Sequence, residues 1–84
     1  MVYIVMLHWC NDGDYDTDVI DVCDSREKAQ ASLKLNAEFD WAENWECMDL
    51  KQDELDNYEW TDDYYDISYG DMRTTIYIEE KELK

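Results

Sequence analysis

The sequence predicts an α+β fold, a two-layer sandwich with the element order β-β-α-β-β. Three observations lead to this prediction: a hairpin pattern at the start of the chain, a long helix-forming segment in the middle and a second hairpin pattern near the end. Four mostly antiparallel strands with a helix packed on one face would form a single domain over residues 1–84.

The first hairpin combines two apolar runs with a turn signal. Residues 2–9 (VYIVMLHW) are almost all apolar, β-branched or aromatic, which is typical of a buried strand. Residues 10–17 (CNDGDYDT) contain an Asn-Asp-Gly sequence and are predicted to form the loop. Residues 18–23 (DVIDVC) then form the returning strand.

The middle of the chain predicts an amphipathic helix. Asp24 is the expected N-cap, because Glu27 follows it at the spacing of a capping box. One apolar stripe begins at i, i+4 spacing and is extended by two further residues: Ala29, Leu33, Ala37, Trp41, Trp45 and Met48. A second apolar set lies on another face: Leu35, Phe39 and Ala42. Two explanations stay open, a break of the helix near residues 36–40 or a second face covered by something else.

The last part of the chain predicts the second hairpin. Residues 51–60 (KQDELDNYEW) fit either a short helix or an ordered loop. Residues 62–69 (DDYYDISY) alternate as a strand does, and residues 72–80 (MRTTIYIEE) form the last strand. Between them, Gly70 and Asp71 fit a two-residue turn that begins with glycine.

Composition and spacing argue against several classes of function. Cys10, Cys23 and Cys47 show no Cys/His spacing typical of zinc, and we expect reduced thiols in a cytoplasmic protein. No run of about 18 apolar residues and no basic signal-peptide region is present, so neither a membrane span nor secretion is expected. Two glycines are too few for a phosphate-binding loop, and no cofactor is expected.

No residue pattern indicates catalysis. His8 and Cys10 lie two residues apart on a strand, yet no orienting group or oxyanion hole is evident beside them. Paired carboxylates are expected by chance in a chain with 23 acidic residues. We therefore expect that the protein is not an enzyme.

The acidic segment of the first hairpin has two interpretations. It contains four aspartates at alternate positions: Asp12, Asp14, Asp16 and Asp18. An EF-hand loop requires glycine at its sixth position and glutamate at its twelfth, whereas a loop starting at Asp12 has Thr17 and Cys23 there. We interpret the segment as a solvated acidic loop, with a weak divalent-cation site as the alternative.

The strongest functional signal is the distribution of charge. The chain has a net charge of −16, and residues 35–71 contain thirteen acids against one base, Lys51. If the first part of this segment is helical, five acids line one face: Glu43, Glu46, Asp49, Asp53 and Asp56. Asp62, Asp63 and Asp66 would supply a second row. Because neighbours in such a row are about 5–6 Å apart, the carboxylates would approximate the phosphates of a nucleic acid.

We predict a partner-binding surface on this segment. A surface of this sign repels nucleic acid and anionic lipid and attracts basic proteins. Exposed aromatic residues can anchor such an interface beside the charges. The predicted residues are Glu43, Glu46, Asp49, Asp53, Glu54, Asp56, Glu59, Asp62, Asp63, Asp66, Trp60 and Tyr64.

By size, charge, absence of an export signal and the acidic, aromatic segment, the chain resembles small acidic proteins encoded by phages and mobile elements. Some of these are DNA mimics that block bacterial defence nucleases, including anti-CRISPR inhibitors of Cas9. The runs VYIVMLHW, DVIDVCDSREKAQASL, DDYY and IEEKEL are also similar to a family of small bacterial and phage proteins, which supports β-β-α-β-β. The resemblance implies a non-enzymatic inhibitor in the cytoplasm of a bacterial host cell, which occupies the basic DNA-binding channel of a CRISPR nuclease.

Two other functions stay open at this point. One is an acidic protein-protein adaptor or regulatory module, with a homodimer among its forms, whose acidity is incidental. The other is a weak divalent-cation binder that uses the segment from Asp12 to Asp18.

Overall fold

The computed structural model describes residues 1–46 and 52–82. Within these residues, five strands form one antiparallel sheet in the order β2-β1-β5-β4-β3, and one α-helix packs on it. The α+β class is confirmed, and the predicted number of four strands is wrong. The predictions for Cys47, Met48 and Asp49 lie outside the described residues. The element bounds are β1 Val2–Asn11, β2 Asp14–Cys23, α1 Arg26–Asp40, β3 Asn57–Trp60, β4 Tyr64–Tyr69 and β5 Met72–Lys81.

The additional strand, β3, lies in the segment that fitted either a short helix or a loop. A 3-10 turn, Gln52–Glu54, precedes it. β3 pairs with β4, and Trp60 stands opposite Tyr65. The rings of these two residues meet edge to face with centroids 4.9 Å apart. This contact stabilises a strand that is only four residues long.

The first hairpin is tighter than predicted, because β1 and β2 extend through most of residues 10–17. Only Asp12 and Gly13 lie between the strands, with φ values of 51° and 90°. Two central residues in the left-handed region give a turn that matches the right-handed twist of a hairpin. A bulge beside Val5 and Met6 leaves Ile20 without a cross-strand neighbour, and Ile20 packs against the core.

Helix α1 starts one residue later than predicted. Ser25 is the N-cap, since its Oγ accepts a hydrogen bond from the Lys28 backbone N–H at 3.2 Å. Asp24 instead forms an ion pair with the Lys28 side chain at 2.8 Å. The first part of the predicted apolar stripe is confirmed, and its buried residues are Ala29, Leu33 and Ala37.

The apolar stripe continues past α1 through a π-helical turn, Trp41–Trp45. A regular α-helix would rotate residue 45 away from the sheet, and the wider turn brings Trp45 back to a buried position. The change of helix type therefore falls just after the predicted break at residues 36–40. The second apolar set stays on the surface, with Leu35 69% and Phe39 67% exposed.

Strand alternation divides the sheet into two faces. The covered face lies under α1 and contributes to a core made of Val5, Cys23, Ala29, Leu33, Ala37, Trp45, Leu55, Tyr65, Ile67 and Ile76. We call the opposite side the open face. It presents the even-numbered residues of β1 and β4, the odd-numbered residues of β3 and β5, and Tyr15, Thr17, Val19 and Val22 of β2.

Candidate functional site

Helix α1 does not extend over the whole of the covered face, and a groove opens beyond the end of this helix. An adjoining depression beside Phe39 and Ile20 shares part of its lining with this groove. The two have volumes of ≈ 290 and ≈ 280 Å³. We call them together the acidic groove. The ≈ 290 Å³ part has one acid and one base in its lining, and its other lining residues are apolar or polar: Asp40, Arg73, Leu7, Trp9, Met72, Cys10, Asn11, Asn44 and Thr74.

Three aspartates of β2 stand opposite residues of β1 that line the acidic groove. Asp16 is the cross-strand neighbour of Trp9, which lines the groove. Asp14 and Asp18 lie two residues to either side of Asp16, so they point to the same face, with about 6.7 Å between neighbours along the strand. All three are exposed, and we call them the carboxylate row. Residues 1–25 contain no lysine or arginine, and no ion pair within the described residues neutralises the row.

Asp40 lies on the opposite side of the acidic groove and is held by three hydrogen bonds. Its Oδ2 accepts from Trp45 Nε1 at 2.9 Å and from Tyr65 Oη at 2.8 Å. Its Oδ1 accepts from Asn44 Nδ2 at 2.7 Å. Burial raises the pKa of Tyr65, and the nearby Asp40 adds to that effect, so Tyr65 stays a neutral donor. Asp40 is the last residue of α1 and directly precedes the π-helical turn.

The acids predicted to share one helical face are distributed over separate elements. Glu43 lies in the π-helical turn and Glu46 follows it, and both are exposed. Asp53 and Glu54 are exposed on the separate 3-10 turn. Asp49 lies outside the described residues. The described part of the chain therefore does not place these acids on one face of a continuous helix.

Two further predicted acids hold elements of the fold together. Asp56 Oδ2 accepts from the Gly70 backbone N–H at 2.7 Å, which fastens the start of β3 to the β4–β5 turn. Asp63 accepts from Gln30 Nε2 at 2.8 Å and from Arg26 Nη2 at 3.0 Å, which fastens the β3–β4 connection to α1. These two hydrogen bonds lower the pKa of Asp63.

Asp66 is buried, with 3% of its surface exposed, although it lies on the open face. Arg73 donates to both of its oxygens, from Nε at 3.0 Å and from Nη2 at 2.7 Å. Thr75 Oγ1 and Asn57 Nδ2 donate at 3.0 and 2.8 Å. Tyr64, also a predicted site residue, is half-buried beside it, with its hydroxyl 3.4 Å from Asp66 Oδ2. A partner's cation would have to displace Arg73 to reach this carboxylate.

The remaining predicted residues lie on and beside β3. Glu59 is exposed on the open face, and Asp62 is exposed beside Lys34. Trp60 is half-buried and packs against Trp41, with ring centroids 6.3 Å apart. Since four interstrand spacings separate β3 from β2, this group lies about 19 Å from the carboxylate row.

The geometry does not fit the cation site that Asp12, Asp14, Asp16 and Asp18 would form. Calcium ligands converge on one ion at about 2.3–2.6 Å, whereas neighbours in the carboxylate row are about 6.7 Å apart. Among the described residues, no group of three His, Cys, Asp or Glu side chains could hold a metal ion.

The candidate thiol and imidazole groups are split between the two faces. His8 and Cys10 lie on the open face, where His8 Nδ1 is 2.8 Å from Thr17 Oγ1. Cys23 is buried on the covered face, and burial, with the nearby Asp21 as the next cause, raises the pKa of its thiol. A raised pKa disfavours the thiolate, the reactive form of cysteine.

The acidic groove is the feature that sequence reasoning missed. A signal for the row was present, since residues 14–19 (DYDTDV) alternate aspartate with other residues at the period of a strand. The Asn-Asp-Gly sequence before them led to the prediction of a longer loop. The groove itself had no local signal, because β1, β5 and the end of α1 meet only in the folded chain.

Comparison with known proteins finds no match: no protein-family model, no curated protein and no solved structure matches the chain. No helix within residues 1–46 and 52–82 is both long and apolar enough to cross a bilayer. The function is therefore inferred from the acidic groove and the carboxylate row.

Proposed function

We propose that the protein is a non-enzymatic inhibitor that mimics nucleic acid and occupies the basic DNA-binding channel of a bacterial defence nuclease of the Cas9 type. The observation that carries this proposal is the carboxylate row, three exposed aspartates at a regular spacing in a stretch without lysine or arginine. A channel that binds phosphates presents arginine and lysine, which bind carboxylates through the same charge-assisted hydrogen bonds.

The spacing of the row supports the comparison with a phosphate backbone. The carboxylates repeat about every 6.7 Å, and consecutive phosphates of one DNA strand rise by about 3.4 Å along the axis while winding around it. The separation of phosphates in space is therefore larger than their rise and comes close to the repeat of the row. Basic side chains placed for successive phosphates could meet successive aspartates.

The groove beside the row supports the binding of long basic side chains. Trp9 and Leu7 give it an apolar floor on the same face as the aspartates. An arginine can place its guanidinium on an aromatic ring and its stem on apolar surface while the charged head reaches a carboxylate. Asp40 provides a further carboxylate on the far side of the groove.

An exposed acid beside β3 extends the acidic surface beyond the row. Asp62 is exposed there, at the opposite edge of the sheet, whereas Glu59 is exposed on the open face. The protein measures 44 × 24 × 17 Å along its principal axes. At a rise of about 3.4 Å per base pair, its long axis corresponds to about 13 base pairs, which is enough to obstruct a nucleic-acid channel.

An acidic adaptor or regulatory module is the second candidate function. The exposed Leu35 and Phe39 on α1 favour it, because Phe39 also borders the acidic groove and a partner could use both. Binding through these apolar side chains would survive high salt. Binding through the carboxylate row would weaken as salt screens the charges.

The test is a DNA-cleavage assay with guide-loaded Cas9 and increasing amounts of the protein. Two triple variants remove the same charge from different exposed positions. D14N/D16N/D18N neutralises the row, and E27Q/E38Q/E82Q is the matched control. At about 1 kcal/mol for each carboxylate, the row variant should lose about 100-fold in inhibitory potency, and the control less than about 3-fold. Absence of inhibition by the wild type would exclude Cas9 as the target, and equal losses in both variants would contradict the role of the row.

A further inference from the structure

The open face carries a continuous set of apolar side chains beside its outer edge. Val19 and Val22 of β2 are 56% and 58% exposed. Val22 is the cross-strand neighbour of Ile4, and Val19 is that of Met6. Met6 in turn stands opposite Tyr77 of β5. We call these five adjoining residues the apolar patch.

We infer that the open face is the interface of a symmetric homodimer, in which the apolar patch of one copy packs on that of a second copy. The charge of this face supports a second copy as the occupant. Among the described strand residues of this face, three are acids, Glu59, Asp66 and Glu79, and two are bases, Arg73 and Lys81. Chains that each carry −16 repel one another across acidic surfaces and can approach most closely through this nearly neutral face.

The two edges of the sheet are poor alternatives for self-association. β2 exposes the carboxylate row along one edge, and like charges would oppose a second β2. β3 forms the other edge and is only four residues long, with Glu59 exposed on it. Short and acidic edges prevent strand-to-strand extension of a sheet, so contact between faces is favoured.

The open face is large enough for a stable dimer. The five strands comprise forty residues. At about 3.3 Å per residue and about 4.8 Å between strands, they span about 600 Å² on each copy. Two such faces would bury about 1,200 Å² in total, the lower end of the range for specific interfaces.

A two-fold axis through the open face would bury the apolar patch and leave the acidic groove exposed. In such a contact both copies use the same surface, so the apolar patch of one copy covers that of the other. Two sheets packed in this way lie about 10 Å apart, as in a β-sandwich. The acidic groove lies on the other side of the sheet and stays accessible in both copies. The inference is thus independent of the proposed function.

The test is the mass of the full-length protein by sedimentation equilibrium at about 0.05 and 0.5 M NaCl. We expect a mass near twice 10.2 kDa, with tighter association at the higher salt because screening reduces the repulsion between copies. The binding of a basic partner to the carboxylate row should instead weaken as salt rises. A wild-type protein that stays monomeric at about 100 μM in both salts would overturn the inference, whatever the variants do.

Two double variants locate the interface. V19E/V22E places charges in the apolar patch and should weaken dimer formation by about 30-fold or more. L35E/F39E adds the same charge at the exposed apolar residues of α1 and should leave the dimer intact. Far-UV circular dichroism verifies that each variant is folded. A dimer that survives V19E/V22E, or one that L35E/F39E dissociates, would place the interface elsewhere and refute the inference.

Discussion

β2 and β4 both carry aspartates, and the two strands use them in opposite ways. β2 is an edge strand, and its Asp14, Asp16 and Asp18 are exposed beside the acidic groove. β4 lies between two other strands, and its Asp66 is buried in an ion pair with Arg73. Position in the sheet therefore decides whether a carboxylate stabilises the fold or stays available to a partner. A net charge of −16 does not reveal that distinction.

Removal of the Asp66 carboxylate should destabilise the fold strongly. Asp66→Ala leaves Arg73 and Thr75 without their shared acceptor, and breaking a buried ion pair costs about 3–5 kcal/mol. Because Arg73 is partly exposed to solvent, we expect the lower end, about 3 kcal/mol, in urea unfolding. Glu59→Ala changes the exposed cross-strand neighbour of Asp66 and should cost less than about 0.5 kcal/mol. A loss below about 1 kcal/mol for Asp66→Ala would contradict the structural role.

Asp40 lies in the acidic groove, yet hydrogen bonds hold its carboxylate as they hold that of Asp66. Asp40→Ala removes the acceptor of Trp45 Nε1 and Tyr65 Oη, and both of those residues are buried. The expected loss in the free energy of unfolding is about 2–3 kcal/mol, measured by tryptophan fluorescence in urea. Asn44→Ala removes one exposed donor and should cost less than about 1 kcal/mol. Equal losses in the two variants would show that Asp40 is not a structural acid.

At alkaline pH, substitution of Tyr65 on β4 and of Tyr15 on β2 should affect stability differently. The pKa of Tyr65 on β4 is raised, so its contribution to stability is complete below about pH 10, the ordinary pKa of tyrosine, and is lost as the pH rises above it. For one such group the loss is about 1.4 kcal/mol per pH unit. Tyr65→Phe should flatten the decline measured by urea unfolding between about pH 10 and 11. Tyr15→Phe changes an exposed residue of β2 and should leave the decline as it is.

The smallest expected effect is a gain in stability, whereas the preceding substitutions should cause losses. D14N/D16N/D18N removes repulsion between neighbouring like charges and should raise the free energy of unfolding by about 0.5 kcal/mol at low salt. The gain should vanish near 1 M NaCl, where charges are screened within about 3 Å. Urea midpoints at the two salt concentrations measure it. A variant that is less stable than the wild type would mean that the row serves the fold, as Asp66 does.

Elements with a long, regular period could be predicted from the sequence. The i, i+4 stripe of Ala29, Leu33 and Ala37 defined α1, and the apolar run at residues 2–9 defined β1. β3 was missed because four residues are too few for a periodic signal. The predicted loop extends as far as Thr17, beyond the true start of β2, because turn-forming residues precede this strand.

The distinction between binding and structural acids could not be predicted. Asp62 and Asp66 lie four residues apart in the same acidic segment, yet one is exposed and the other is buried. The burial of Asp66 depends on Arg73 and Thr75, which only the pairing of β4 with β5 brings to it. Neither the spacing of the acids nor the absence of lysine contains that information.

The most direct test of the role of the carboxylate row is a measurement of the protein's affinity for guide-loaded Cas9 at about 50 and 200 mM salt. Wild type and the E27Q/E38Q/E82Q control should bind alike and lose affinity steeply as salt rises. D14N/D16N/D18N should bind about 100-fold more weakly at the lower salt and show a shallower salt dependence. Equal affinities and equal salt dependences for the two triple variants would contradict the account.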